Sequence, residues 1–255
     1  METTIDLGGV RTWYAEHGAG EPLVLMHGGL SDARYFGPAL APLAEHFRVL
    51  TPERRGHGHT PDTDGPYTVD ALVGDTAAFL EKVAGGPAHL VAYSQGAGLA
   101  MHLAVRRPDL VSRLVLVSGA ADAEGLLPGM RPSAEGEPPE VITDMYAEVS
   151  PDGREHFPVV VRKTVDLFET QPPVTAGNLA SIRARTLVMA GDDDIVRPEH
   201  TRFLYESIPG AELAVVPGAS HVLFLEKPEL CARLVLDFLT ADPVPTMMPI
   251  RRAGA

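Results

Sequence analysis

The 255-residue chain has one cysteine, one tryptophan and only 6% aromatic residues. A single cysteine, Cys231, cannot close an internal disulfide, which excludes a disulfide-stapled module. It falls among Leu230, Leu234 and Leu236 in an amphipathic pattern and reads as core filling rather than as a reactive thiol. No apolar run approaches the roughly 18–20 residues needed to span a bilayer. The opening residues, Met1-Glu2-Thr3-Thr4-Ile5-Asp6, carry early acids and lack the apolar stretch of a secretory leader, so the expectation is a cytoplasmic protein with no membrane partner. Basic charge is also in deficit, with 21 Lys and Arg against 34 Asp and Glu and a formal net charge of −13. Such a surface repels phosphate backbones, so nucleic acid is not an expected partner. There is no glycine-rich phosphate loop, no dinucleotide fingerprint and no His/Cys spacing typical of a metal site; His57 and His59 sit two apart without supporting ligands. The expectation is therefore no cofactor and no metal.

What the chain does have is ordinary globular composition, 45% hydrophobic and 22% charged, which excludes disorder, collagen and a pure coiled coil. Short Val- and Leu-rich runs alternate with longer amphipathic stretches. The runs are 23–26, 49–50, 89–93 (HLVAY), 114–117 (LVLV), 186–190 and 213–216, each ending at a turn. They are too short for helices, and their lack of alternation suits strands buried on both faces. The segments 3–7 and 12–16 alternate better and read as an antiparallel hairpin at a sheet edge. Helical patterns cover 69–83, 95–105, 199–207 and 229–239. The predicted class is α/β: a mostly parallel, doubly wound sheet of about eight strands with helices on both faces.

One stretch breaks this rhythm. Residues 121–183 separate two strands and are rich in proline; 124–139 reads as mobile, and the part around Tyr146 and 159–168 as short helices. We read residues 1–120 and 184–240 as the core domain, 121–183 as an inserted helical cap over the strand ends, and 241–255, with three prolines and no periodicity, as a flexible tail. Met130, Met145, Tyr146, Phe157, Leu167 and Phe168 either line an apolar pocket or form the cap's own small core.

Three stations carry chemistry. In Ala92-Tyr93-Ser94-Gln95-Gly96 a serine joins a buried strand to a helix, with small residues two positions to either side where the two backbones crowd. This is the pattern of a nucleophile elbow, with Ala in place of the first Gly; the alternative is a plain helix N-cap serine. The hydroxyl needs a base, and among ten histidines position selects His221, in Gly218-Ala219-Ser220-His221 just after the last strand. His46, His156 and His200 have no motif around them and read as surface residues. The base needs an acid to hold its ring. Of Asp192, Asp193 and Asp194, Asp194 is the candidate, Asp192 shapes the turn and Asp193 is solvated; Asp122 is a weaker alternative acid.

The order Ser94, Asp194, His221 resembles that of the α/β-hydrolase superfamily, over about residues 7–240. His27-Gly28-Gly29 resembles the family's loop after the third strand, and Arg55-Gly56-His57-Gly58-His59-Thr60 its turn after the fourth. The resemblance implies an oxyanion hole of the Gln95 and Gly29 amides, with Leu30 the neighbouring candidate, and turn-stabilising roles for His27, Arg55 and His57. Aspartate-nucleophile dehalogenases and epoxide hydrolases are excluded by the serine. The function this implies is a serine hydrolase cleaving a carboxylic ester or lactone through an acyl-enzyme. The alternatives are a C–C bond hydrolase of β-diketone-like substrates, a cofactor-free peroxidase or acyltransferase, and, from another class, a non-catalytic ligand-binding protein. The expected partner is a small-molecule substrate, and nothing demands more than a monomer or a weak homo-oligomer.

Overall fold

The computed structural model describes residues 1–242, 246–248 and 250. The apolar runs become the strands of one sheet: β1 (Glu2–Asp6), β2 (Arg11–His17), β3 (Pro22–Met26), β4 (Arg48–Pro52), β5 (Ala88–Tyr93), β6 (Val111–Val117), β7 (Arg185–Asp193) and β8 (Glu212–Ser220). Their spatial order is β1-β2-β4-β3-β5-β6-β7-β8. The hairpin β1–β2 is antiparallel, β2 meets β4 antiparallel, and every later pairing is parallel. This is the mostly parallel α/β sheet expected from the sequence, with eight strands.

Burial explains the runs. All of β5 is buried, and Leu90, Val91, Leu114, Val115 and Leu116 are fully enclosed; each such side chain contributes about 1.5–3 kcal/mol of transfer free energy. One face is covered by α1 (Gly37–Ala44), the other by α2 (Val69–Phe79) and α3 (Gln95–Arg106), giving one hydrophobic cluster on each side of the sheet. β8 departs from expectation. Leu213 is 42% exposed and Val215 53%, because β8 is the last strand and half of it faces outward.

Between β6 and β7 lie α4 (Glu140–Ala147), α5 (Phe157–Thr170) and α6 (Ala176–Ala180). Then come α7 (Pro198–Ser207), α8 (Leu223–Glu226) and α9 (Pro228–Thr240), with α9 packing on α1 and α7 on α6. The start of the insertion, read as mobile from its composition, is tied down locally. Leu126 bridges Val196, the Leu127 amide donates to the Ile195 carbonyl, and the Arg197 amide donates to that of Gly125. The flexible tail expected over 241–255 falls largely outside the described residues. Among the described residues no helix is long and apolar enough to cross a membrane.

The strand order reverses direction at β3: β4 lies on one side of it and β5 on the other. Loops leaving β3 and β5 therefore diverge, and the crevice between them, at the carboxyl ends of the strands, is where this class of sheet leaves room for a ligand.

Candidate active site

Ser94 stands where β5 turns into α3, with φ +53° and ψ −119°. A non-glycine residue at positive φ is strained, and the tight fit around it holds the strain in place. A Cβ added at Gly96 would lie 2.5 Å from the His27 carbonyl oxygen, so glycine is required there. The Ser94 side chain does not cap α3, which removes the N-cap reading. Its hydroxyl instead meets His221 Nε2 at 2.9 Å, and His221 Nδ1 meets Asp194 Oδ1 at 2.7 Å. With Nδ1–H given to the carboxylate, Nε2 is left to accept the serine proton.

The three neighbouring aspartates separate by contact. Asp192 is exposed and accepts the Ala219 amide at 3.1 Å; Asp193 is exposed; the Asp194 side chain is only 2% exposed. Burial pushes the Asp194 carboxyl upward. The His221 hydrogen bond and charge, the Ser118 hydroxyl and the Val196 amide outweigh it, and the pKa lies below the ordinary carboxylate value. Asp122 accepts the Gly125 amide in a local turn instead.

Sequence reasoning passed over Ser118. It follows β6 at φ +49°, and its hydroxyl donates to Asp194 Oδ2 at 2.5 Å, so both carboxylate oxygens are occupied. The only local signal was a serine at a strand end. Two histidines read as surface residues are engaged. His200 is buried, its Nε2 accepting the Ala121 amide at 2.9 Å, and His156 Nε2 meets Asp62 at 2.8 Å.

The oxyanion candidates also separate. Leu30, at φ +53°, donates its amide to His57 Nε2 at 3.3 Å. It is therefore removed from the set, because its N–H is already committed. The Gly29 and Gln95 amides have no protein acceptor among the described residues, and the Gln95 amide opens α3, where the helix dipole favours negative charge. His27 lies between Arg54 and Gly28: its Nε2 accepts the Arg54 amide at 3.1 Å and its Nδ1 meets the Gly28 carbonyl at 2.8 Å. Arg55 pairs bidentately with Asp75 at 2.9 Å, tying the turn to α2.

These groups open on a cavity of about 200 Å³. Met130 and Phe168 line it, whereas Tyr146, Phe157 and Leu167 are buried in the insertion's packing and Met145 is exposed. Its polar lining comes from Gln95, Ser118, Thr164 and Gln171 beside Ser94 and His221; among the described residues no Lys, Arg, Asp or Glu lines it. Gln95 Nε2 reaches the Thr164 carbonyl at 3.5 Å, linking the elbow to α5. Among the described residues no group of three or more His, Cys, Asp or Glu is placed to hold a metal ion.

Sheet order, elbow and the Ser–His–Asp line are those of an α/β hydrolase. The model of the alpha/beta hydrolase family matches residues 23–234, and the chain belongs to that family. It is 31% identical to 2-hydroxymuconate semialdehyde hydrolase of Pseudomonas sp. strain CF600, covering 91% of each chain. It is 28% identical to 2-hydroxy-6-oxo-2,4-heptadienoate hydrolase of Pseudomonas putida strain F1, covering 92% of this chain and 95% of that one. Among solved structures it is similar to the enol-lactonase from Burkholderia xenovorans LB400. That match has a TM-score of 0.74 at 27% identity over 93% of this chain and 100% of the other.

Proposed function

We propose that this hydrolase is a serine enzyme that cleaves an uncharged carboxylic ester or lactone through an acyl-enzyme. The observation that carries the reading is the hydrogen-bonded line Ser94–His221–Asp194 opening on a cavity that no Lys, Arg, Asp or Glu lines among the described residues. Ser94 Oγ attacks the carbonyl carbon as His221 Nε2 takes its proton, and Asp194 holds the imidazolium. The carbonyl electrons move onto oxygen, where the Gly29 and Gln95 amides receive them. Collapse expels the alkoxide, which His221 protonates. In a lactone the resulting alcohol stays attached to the acyl group. Water, deprotonated by His221, then attacks the acyl-enzyme and releases the acid, restoring Ser94.

C–C bond hydrolysis is the alternative reading, and one relative is named for 2-hydroxy-6-oxo-2,4-heptadienoate, a carboxylate. A buried carboxylate is held best by a cation, and among the described residues the lining offers no Lys or Arg, only neutral groups such as Gln95, Ser118, Thr164 and Gln171. That favours a neutral ester or lactone. A volume of about 200 Å³, below the roughly 300–1,000 Å³ of drug-sized sites, favours a small acyl group. In the same reading residues 1–120 and 184–240 are the catalytic core and 121–183 the cap that sets acyl preference through Met130 and Phe168.

Ester and lactone hydrolysis is to be followed for wild type and Ser94→Ala, with mass spectrometry of a fluorophosphonate adduct. The expected result is one adduct on Ser94, loss of turnover by about 10⁶-fold in the alanine variant, and preference for short neutral acyl groups over the same groups bearing a terminal carboxylate. No adduct and no Ser94-dependent turnover would overturn the serine mechanism; preference for the carboxylate-bearing substrates would overturn the substrate class.

A further inference from the structure

Behind the oxyanion loop sits a cation that the mechanism above does not use. Arg54 follows β4, is half-buried, and turns its guanidinium inward. Nη1 donates to the His27 carbonyl at 2.5 Å, and Nη2 donates to the Gly28 carbonyl at 2.7 Å and to Gln95 Oε1 at 3.4 Å. All of these acceptors are neutral. Nε is sealed from solvent without a partner, and among the described residues no carboxylate forms an ion pair with this guanidinium. Its near neighbours include two imidazoles, and both are held neutral by burial and by the Arg54 charge, His57 with its pKa pushed down to about 4. Burial lowers the pKa of Arg54 itself to about 9, which leaves it charged at neutral pH. An inward-facing charge without a counter-ion is costly, and proteins rarely keep one that has no use.

The position of that charge suggests its use. The Gly28 carbonyl and the Gly29 N–H belong to one peptide group, and that carbonyl faces two donors, Arg54 Nη2 and His27 Nδ1, the latter at 2.8 Å. Donation to a peptide oxygen draws electron density from its nitrogen and strengthens the N–H as a donor. The other candidate oxyanion donor is the backbone of Gln95, whose side chain the same guanidinium reaches.

We propose that Arg54 is a positioning residue for the oxyanion: it fixes and polarises the Gly28–Gly29 peptide, and its charge, unpaired in the resting enzyme, finds its counter-charge only when the tetrahedral oxyanion forms. The inference rests on the serine-hydrolase reading. An interaction absent in the ground state and present in the transition state raises kcat and leaves KM alone.

The test compares wild type, Arg54→Lys and Arg54→Gln in ester hydrolysis, with rates normalised to sites titrated by a fluorophosphonate. Inhibition by an alkylboronic acid, which becomes a tetrahedral anion on the serine, is measured alongside. Arg54→Gln is expected to lose kcat by about 30-fold or more, to lose boronate affinity by a similar factor, and to keep KM within about threefold. Arg54→Lys, with the charge restored, is expected to recover much of both losses. Where Arg54→Gln does not fold, Arg54→Lys carries the test alone: matched partial losses of kcat and boronate affinity support the proposal, and a change in KM alone overturns it. Equal losses in both variants, or a titratable Arg54→Gln with wild-type kcat and boronate affinity, also overturn it. A wild type that neither labels nor binds the boronate would instead overturn the serine-hydrolase reading, a separable failure.

Discussion

Ser94 and Thr164 line the same cavity but are held there in different ways. Ser94 is fixed by the sheet: β5 is buried along its length, it pairs in parallel with β3 on one side and, regularly from Leu90 to Tyr93, with β6 on the other, and the Ser94 amide donates to the Val117 carbonyl at 2.8 Å. Thr164 rides on α5, where apolar packing is joined by a few long polar contacts to the core. Asp62, in the loop after β4, receives Tyr67 Oη on Oδ1 at 2.8 Å and, on Oδ2, both Lys163 Nζ at 2.6 Å and His156 Nε2 at 2.8 Å. Arg34 reaches Glu148 at 2.6 Å. Burial and pairing of backbone groups make the sheet end rigid, whereas a few side-chain bonds can be lost without unfolding the rest. On the proposed reading, the chemistry sits on the rigid side of the cavity and part of the selectivity on the side that can be altered independently.

The largest separation of the two sides is expected from Asp194→Asn. The amide preserves size but reverses the hydrogen-bonding sense toward His221 Nδ1, so the ring is held in the wrong tautomer. Turnover should fall by about 10⁴-fold, while binding of an ester measured on a slow substrate stays near wild type. If affinity falls as much as turnover, the division between a catalytic sheet end and a binding insertion is wrong. Ser118→Ala is the milder version. It leaves Asp194 Oδ2 without its hydroxyl partner, and with a charge-assisted hydrogen bond worth about 1.5–3 kcal/mol the expected loss of kcat is about tenfold, again without a change in KM. An unchanged kcat would show that Ser118 only packs against the carboxylate.

The same division governs what was legible in the sequence. The fold could be read because strands and helices advertise themselves through near neighbours: HLVAY followed by Ser94, or Gly218-x-x-His after a strand. The candidates Ser94, Asp194 and His221 could be named from such local patterns, and the structure brings the three within hydrogen-bonding distance. Leu30 could not be separated from Gly29, because the distinction rests on His57, 27 positions away. Ser118 was invisible because its partner is 76 residues on, and the Asp62–Lys163 contact spans 101. Met130 and Phe168 could not be told from Tyr146 and Phe157 because all are apolar residues of a segment without regular period, and only their packing divides them into lining and core. β8 was misread as doubly buried because a Val/Leu run does not reveal whether another strand or helix covers its outer face.

The smallest predicted effect tests the fastening of α5. Burial raises the Asp62 carboxyl, but Lys163, His156, Tyr67 and the Thr63 amide outweigh it, and the folded-state pKa lies below the ordinary value. A carboxylate lowered on folding contributes stability that is fully present above its unfolded pKa, about 3.9, and is lost as pH falls through the folded value. The contact is therefore intact at neutral pH and weakens on the acid side of about pH 4. Hydrogen exchange should show α5 amides losing protection there before those of β5 and β6. Asp62→Asn keeps the size of the side chain and its acceptor oxygen but removes the charge. It should raise exchange in α5 already at neutral pH, abolish the acid step, and raise KM by about threefold with kcat little changed. If α5 and the central strands instead lose protection together, at one pH and to the same extent, the two sides of the cavity form one cooperative unit, and the selectivity of this enzyme cannot be altered independently of its catalytic end.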